Sequence, residues 1–547
     1  MTAKVIDTDV LVVGSGAAGL RAAIESRRHG VEVLLASKSL TGFASCSFHA
    51  GGGFTVPLEG MTKSDHFETT VKTGKNINDQ KLAEVLVNDA ASRVLELKDF
   101  GVKLVTDRGE CHVMNGSFPT GGAALINPLV RYAKGVGVKM LESTMITDLL
   151  TDGSVNGAVG FNVTDGKYIS INAKATILAT GGAGQAYRRN DNPARITGDG
   201  YALAYGLGVP LVDMEFVQFW PIGSVESGYP EFWLMPPESI LEKGVLRNIN
   251  GEDIARKHEL DPAQAYHAQR DAWTIAIAKE IQEGRGERDA VLLDLTRLPE
   301  DLQKHEWVVS ASKLLNGFPI STRPLHVNPL AHHFMGGIPI DVECNTSMPG
   351  LFAAGEVTGG IHGANRLGGN ALTECMVYGA TAGISAAKCV NTNTRKRVDR
   401  KQVEEKLRRV KETVVGVSSD QGEPKAVRSR IQEIMLQKAG AIRDRRSLIE
   451  AREKLTQVKE ENLSKLYGRK PREVMQALEA INLFLVATLV VKAALERSES
   501  RGAHYREDYP NRNDRDWLKH IVLKKGIQDI EVETCPVALT ELFSSNW

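Results

Sequence analysis

"DVLVVGSGAAGLRAAIESRRHGVEVLLASKS", residues 9 to 39, decides the fold. An apolar run from Val10 to Val13 breaks at Gly14-Ser15-Gly16-Ala17-Ala18-Gly19, an amphipathic stretch follows, and VEVLLA restores an apolar run. The pattern predicts strand, tight turn, helix, strand. The glycines permit the turn, close approach of backbone to a pyrophosphate and close helix–strand packing, while the helix start offers free N–H groups to phosphate. G-x-G-x-x-G alone is a weak signal, but here a strand precedes it and a helix follows, which points to a dinucleotide. An acidic residue would be expected on the ribose about 20 residues on. The second strand ends instead in Ser37 and Lys38, which argues against an ordinary NAD site and leaves FAD open.

Two further passages repeat the theme. "AKATILATGGAG", residues 173 to 184, runs a buried strand into Thr180-Gly181-Gly182, and "GLFAAGEV", residues 350 to 357, places Glu356 just after another strand. A carboxylate there can accept hydrogen bonds from a ligand's hydroxyls. One long dinucleotide touched by three strand ends accounts for all three.

The rest of the composition narrows the class. At 547 residues and 42% hydrophobic, the chain exceeds what one core supports, so several domains are expected. Lys plus Arg and Asp plus Glu both number 67, without long like-charge blocks, so no nucleic-acid partner is indicated. The six cysteines, Cys46, Cys111, Cys344, Cys375, Cys389 and Cys535, are scattered, so the sequence encodes neither a disulfide framework, nor an iron–sulfur cluster, nor a metal site. No signal-peptide pattern opens the chain. The late apolar run Ala480 to Val491 falls short of the ~20 residues that span a bilayer, so the expectation is a cytoplasmic protein that meets a membrane only through a partner.

The chain resembles the flavoprotein subunits of the succinate dehydrogenase and fumarate reductase family, which includes L-aspartate oxidase. Eight motifs carry the resemblance in order: VVGSGAAGL, ASKS, HAGGGFTV, ILATGGAG, TGDGYALAYGLG, HHFMGGIPID, GLFAAGEVTGGIHGANRLGGNAL and ESRGAHYREDYP. The resemblance implies FAD, with Gly14, Gly16, Ala17, Ala18 and Gly19 at the pyrophosphate and Ser37 and Lys38 near the adenosine. It implies that Ser45, Gly52, Thr180, Gly181, Asp199, Glu356, Asn370, Ala371 and Leu372 line the remainder. Where many members attach FAD through a histidine, this chain reads Ser45-Cys46-Ser47, which implies noncovalent FAD, with a cysteinyl linkage as the minor alternative. Arg366, set among small residues, suits a carboxylate through its forked guanidinium. The resemblance places it with His332 on one carboxylate of a dicarboxylate, with His333 beside them.

Three departures, at four positions, break the family pattern. Ile275, in "RDAWTIAIAKEIQEGRG", stands where the resemblance puts a proton-carrying arginine, and isoleucine cannot move a proton. A shifted alignment that conceals Arg247 or Arg270 is the alternative. Trp220 replaces a carboxylate-gripping histidine, and Pro236 and Pro237 replace a Thr-Glu pair. One carboxylate subsite thus reads as intact and the other as aromatic and apolar.

The implied fold class is α/β: a discontinuous Rossmann-like FAD-binding domain (1–221 and 326–392), an inserted α+β capping domain (222–325), a C-terminal helical bundle (393–500) and a tail (501–547) with Trp517 as an anchor. The leading function is FAD-dependent oxidation or reduction of a small organic acid, with electrons exchanged with an iron–sulfur partner. Succinate, fumarate or L-aspartate chemistry, an adenylylsulfate-reductase-like reaction, and a noncatalytic electron-transfer flavoprotein are the alternatives.

Overall fold

Val10–Val13 is buried along its whole length, as a short β-branched run covered on both faces of a sheet must be. In the computed structural model it is the middle of a five-stranded parallel sheet ordered Leu351–Ala353, Ala175–Leu178, Val10–Val13, Val33–Ala36, Lys139–Leu141. The structure describes residues 3–107, 109–114, 121–229, 231–392, 398–414, 423–527 and 529–540. Parallel pairing brings the carboxyl ends of three strands to one edge, so Gly14, Thr180 and Glu356 emerge side by side from segments far apart in sequence. The crevice beyond such an edge is where open α/β sheets bind ligands.

The helix Ala17–Arg28 follows the first turn and packs along Asn370–Thr392. Glycine makes this approach possible: a Cβ on Gly383 would lie 2.6 Å from the Ala22 carbonyl oxygen. Gly14 has φ +107°, and a Cβ there would come within 2.1 Å of the Ala179 carbonyl, so this turn admits glycine only.

A second hydrophobic core draws its members from Trp220 to Leu330. It is built on an antiparallel sheet ordered Phe232–Trp233, Val217–Ser224, Leu325–Phe334, Val291–Asp294, Val245–Arg247, flanked by the helix Arg270–Glu280. The two long strands, Val217–Ser224 and Leu325–Phe334, belong to both bodies: Val217, Phe219, Ala331 and Phe334 pack in the first core, and Trp220, Ile222, Leu325 and Leu330 in the second.

The helices Pro424–Lys438, Arg445–Glu461 and Pro471–Glu496 pack on one another, and their apolar faces join the first core. Arg400–Val414 stands apart, with Val403 and Leu407 on Leu150 and Val159 of a four-stranded sheet. Pro471–Glu496 is the one helix among the described residues long and apolar enough to cross a membrane, and 56% of its most apolar window is buried inside the protein. The strand Lys519–Lys525 returns the tail to the first core by pairing with Leu211–Val212, and Ile530–Pro536 pairs along its other edge. Trp517 is held between the cations of Arg497 and Lys519.

Candidate active site

A single cavity of about 600 Å³ runs from Lys38 and Asp199, past the Gly14–Ala18 turn, to Arg366 and Trp220. At its far end Lys38 pairs with Asp199 at 2.7 Å and with Glu479, from the long C-terminal helix, at 2.8 Å. Burial works against the Lys38 charge, and these two carboxylates outweigh it, raising its pKa. Burial likewise opposes the Asp199 charge, but Lys38, Thr197 and Asn482 hold its carboxyl below the usual range.

The middle of the cavity fits the dinucleotide expected from sequence. Gly14 and Gly16 bring the turn backbone to the cavity wall without side chains, and the Thr180 hydroxyl is buried with no partner among the described residues. Glu356 accepts a hydrogen bond from the Phe334 N–H at 3.1 Å, and burial pushes its carboxyl up to about 7. Ser45 caps the short helix Cys46–His49 by accepting from the Phe48 N–H. The next turn of chain contributes Ser47, whose hydroxyl accepts from the Ala17 N–H at 3.2 Å.

Fourteen of the sixteen residues assigned to the cofactor lie on the wall: Gly14, Gly16, Ala17, Ala18, Ser37, Lys38, Ser45, Gly52, Thr180, Gly181, Asp199, Glu356, Ala371 and Leu372. Gly19 and Asn370 do not. Gly19 serves packing, since a Cβ there would meet the Gly14 carbonyl oxygen at 2.0 Å. Asn370 points into the protein, bonded to His66 at 2.8 Å and to the Thr70 hydroxyl at 2.9 Å.

All four residues assigned to chemistry converge at the other end. Arg366 is buried, donating from one amino group to the Leu367 carbonyl at 3.1 Å and from the other to His332 Nε2 at 3.0 Å. Its Nε–H finds no acceptor among the described residues. His332 Nδ1–H donates to Asp191 at 2.6 Å, which fixes the tautomer that accepts from Arg366. Burial lowers the His332 pKa despite Asp191, so the ring is neutral in this arrangement. His333, directly behind, is pushed further down by burial and by Arg366.

Trp220 spends its indole N–H on the Leu234 carbonyl at 2.7 Å and stacks on Tyr266 with centroids 5.0 Å apart. The guanidinium of Arg270 lies 4.7 Å above its ring. Ile275 is not on the wall, because five residues along a helix is about 140° around it, whereas Arg270 faces the cavity. Of the two concealed arginines weighed from sequence, Arg247 is instead engaged with Asp294 at 3.1 Å, away from the cavity. Arg270 is buried, and burial, reinforced by Arg366, drives its pKa well below the ordinary value. Gln218 ties the two arginines together, accepting from Arg270 at 3.0 Å and donating to the Arg366 carbonyl at 2.9 Å. Neither Gln218, inside FVQFWPIG, nor Asp191 is singled out for chemistry by the sequence.

A buried trio also escaped the sequence: His333, His362 and Glu374 bring possible ligand atoms within 4.8 Å of one another. The three lie far apart in the chain, so no spacing rule finds them. In the structure His362 hydrogen-bonds Glu374 at 2.9 Å, and the Thr358 hydroxyl donates to the same carboxylate at 3.1 Å.

Residues 9–372 match the model described as FAD binding domain, and residues 428–546 match fumarate reductase flavoprotein C-term. The chain belongs to the fumarate reductase and succinate dehydrogenase flavoprotein family. It is a FAD-dependent oxidoreductase of that family. The chain is 37% identical to a subunit of the fumarate reductase (CoM/CoB) of Methanothermobacter marburgensis, over 96% of this chain and 99% of the relative. It is 31% identical to L-aspartate oxidase of Streptomyces coelicolor, over 95% and 92%. The FrdA chain of a mutant E. coli quinol fumarate reductase superposes with a TM-score of 0.89 at 26% identity, covering 98% of each chain.

Proposed function

We propose that this flavoprotein oxidises or reduces a small organic acid whose carboxylate is held by Arg366 and His332, and exchanges the electrons with an iron–sulfur partner. The observation that carries the reading is the Asp191–His332–Arg366 chain, which ends on a buried guanidinium at the cavity wall whose Nε–H has no acceptor among the described residues. Bound FAD supplies two-electron chemistry. The protein's own residues do the rest. Arg366 and His332 orient the carboxylate, Gln218 fixes Arg366 relative to Arg270, and the second core keeps water from the site. Arg270, with its pKa driven down, is the group placed to move the proton that hydride chemistry at carbon requires.

FAD is held without a covalent bond in this reading. No histidine stands at Ser45-Cys46-Ser47, and burial, with Glu356 and Asp191 nearby, pushes the Cys46 thiol well above its ordinary range and away from the reactive thiolate. Acid precipitation should therefore release all the flavin. The partner is supported by the names of relatives, several of them flavoprotein subunits, which belong to assemblies. The fumarate reductase names also make fumarate the first acid to assay, with succinate and L-aspartate after it.

Arg366→Lys tests the site. An ammonium cannot reproduce the fork, so transition-state stabilisation should fall by about 2–4 kcal/mol while FAD content is unchanged. Loss of FAD with normal turnover in the loaded fraction would make Arg366 a structural brace.

A further inference from the structure

Beside Arg366 and His332 the cavity wall is rich in rings and aliphatic surface, and His267, the imidazole next along the chain from Tyr266, is paired with Glu110 at 3.6 Å. Trp220, Trp233, Met235, Pro236, Pro237 and Tyr266 all line this wall. Trp220 stacks on Tyr266 with an interplanar angle of 8° and meets the edge of Trp233 at 5.5 Å. Its N–H is already donated to Leu234, and proline has none to give. The Tyr266 hydroxyl, buried and without a partner among the described residues, is a neutral donor and does not compensate a second full charge.

Charge leads to the same occupant. Arg366 and Arg270 bring two buried positive charges, and both interact with the Asp191 carboxylate. Glu356 and Glu374 act on Arg366 as well. These carboxylates already offset the two guanidiniums, so no further cation is left to compensate a second ligand carboxylate against the aromatic wall. Arg270 has little left for such a charge: its Nε donates to the Tyr266 carbonyl at 2.7 Å, NH1 to Gln218, and its face rests on Trp220.

We infer that the acid taken by this site is a monocarboxylate with a flat apolar substituent, a 2-enoate or its saturated counterpart, and not a dicarboxylate. The carboxylate sits between Arg366 and His332, and the substituent lies along Trp220 and its neighbours. The inference rests on the carboxylate site proposed above and adds what fills its other end.

Calorimetric titration of the flavin-loaded protein with crotonate, cinnamate, fumarate and acetate tests it without turnover. Crotonate and cinnamate should bind at least tenfold more tightly than fumarate, and also more tightly than acetate, which has the carboxylate without the substituent. Fumarate binding as tightly as the two enoates, or more tightly, overturns the inference and leaves the carboxylate site standing. Equal affinities for acetate and the enoates also overturn it, because the wall then contributes nothing. If none of the four binds, or if Arg366→Lys binds them all as the unaltered protein does, the carboxylate site itself falls and the inference with it.

Discussion

Glu356 shows how one side chain can make stability depend on pH. Its carboxyl titrates near 7 in the folded protein, against an ordinary 4.5, because burial penalises the anion. The folded state therefore holds the proton more tightly than the unfolded chain does. This contribution is complete below about pH 4.5 and is lost as pH rises to about 7, amounting to about 3 kcal/mol. In flavin-free protein, urea unfolding at pH 5 and pH 7.5 should show the unaltered chain falling relative to Glu356→Gln by about that amount. Parallel behaviour of the two proteins would mean that the carboxyl is solvated and not desolvated. Glu356 was legible in sequence because a strand pattern and a glycine flank it. Its shifted titration was not, since that depends on what the fold buries around it.

At the scale of elements, glycines set how close helices come. Gly383 lies inside Asn370–Thr392, where alanine would ordinarily gain about 1 kcal/mol of helix propensity. Its added Cβ would meet the Ala22 carbonyl at 2.6 Å and the Glu25 Cβ at 2.9 Å, and overpacking of backbone against backbone costs about 1–3 kcal/mol. Steric cost exceeds propensity, so Gly383→Ala should lower the urea midpoint and loosen FAD, because its partner helix begins at the Ala17 turn. A variant as stable as the parent, with normal flavin content, would show that the helices can separate at no cost. The strand–turn–helix elements and the three strand ends were readable from periodicity and glycine placement. The irregular register after Gln218 and again between Trp220 and Gly223 was not, and these irregularities help decide which side chains of Val217–Ser224 reach the cavity. A helix motif aligned by letters does not say which residue faces inward, so sequence left Arg270 only as an alternative to Ile275, while in the structure Arg270 lines the cavity and Ile275, five residues on, does not.

Across the whole molecule, the motif ESRGAHYREDYP turns out to join the C-terminal region to the rest. Glu499 is fully buried and accepts from Arg501 at 2.6 and 2.9 Å, from Arg497 at 3.2 Å and from the Asn513 N–H at 2.8 Å. Arg497 in turn reaches Glu215 at 2.6 Å, next to the strand that carries Gln218 and Trp220. Removing one charge from such a lattice leaves buried guanidiniums uncompensated and costs about 3–5 kcal/mol. Glu499→Gln should therefore destabilise the whole chain by that order in urea, and unchanged stability would show the lattice to be hydrated. Sequence resemblance flagged this motif but could not say what it touches, because its partners lie far away along the chain.

The two strands shared by both hydrophobic cores carry a further consequence. Val217–Ser224 holds Gln218 and Trp220, and Leu325–Phe334 holds His332 and His333, so the segments proposed to hold the acid also join the two bodies. A tilt of the second core against the first would be carried along those strands to the Gln218 link between the arginines and to the His332 ring. Opening of the cavity and alignment of the groups proposed to hold the acid would thus be one mechanical coordinate. A substitution that stiffens either strand far from the cavity would change how fast ligand enters and how well it is held by related amounts.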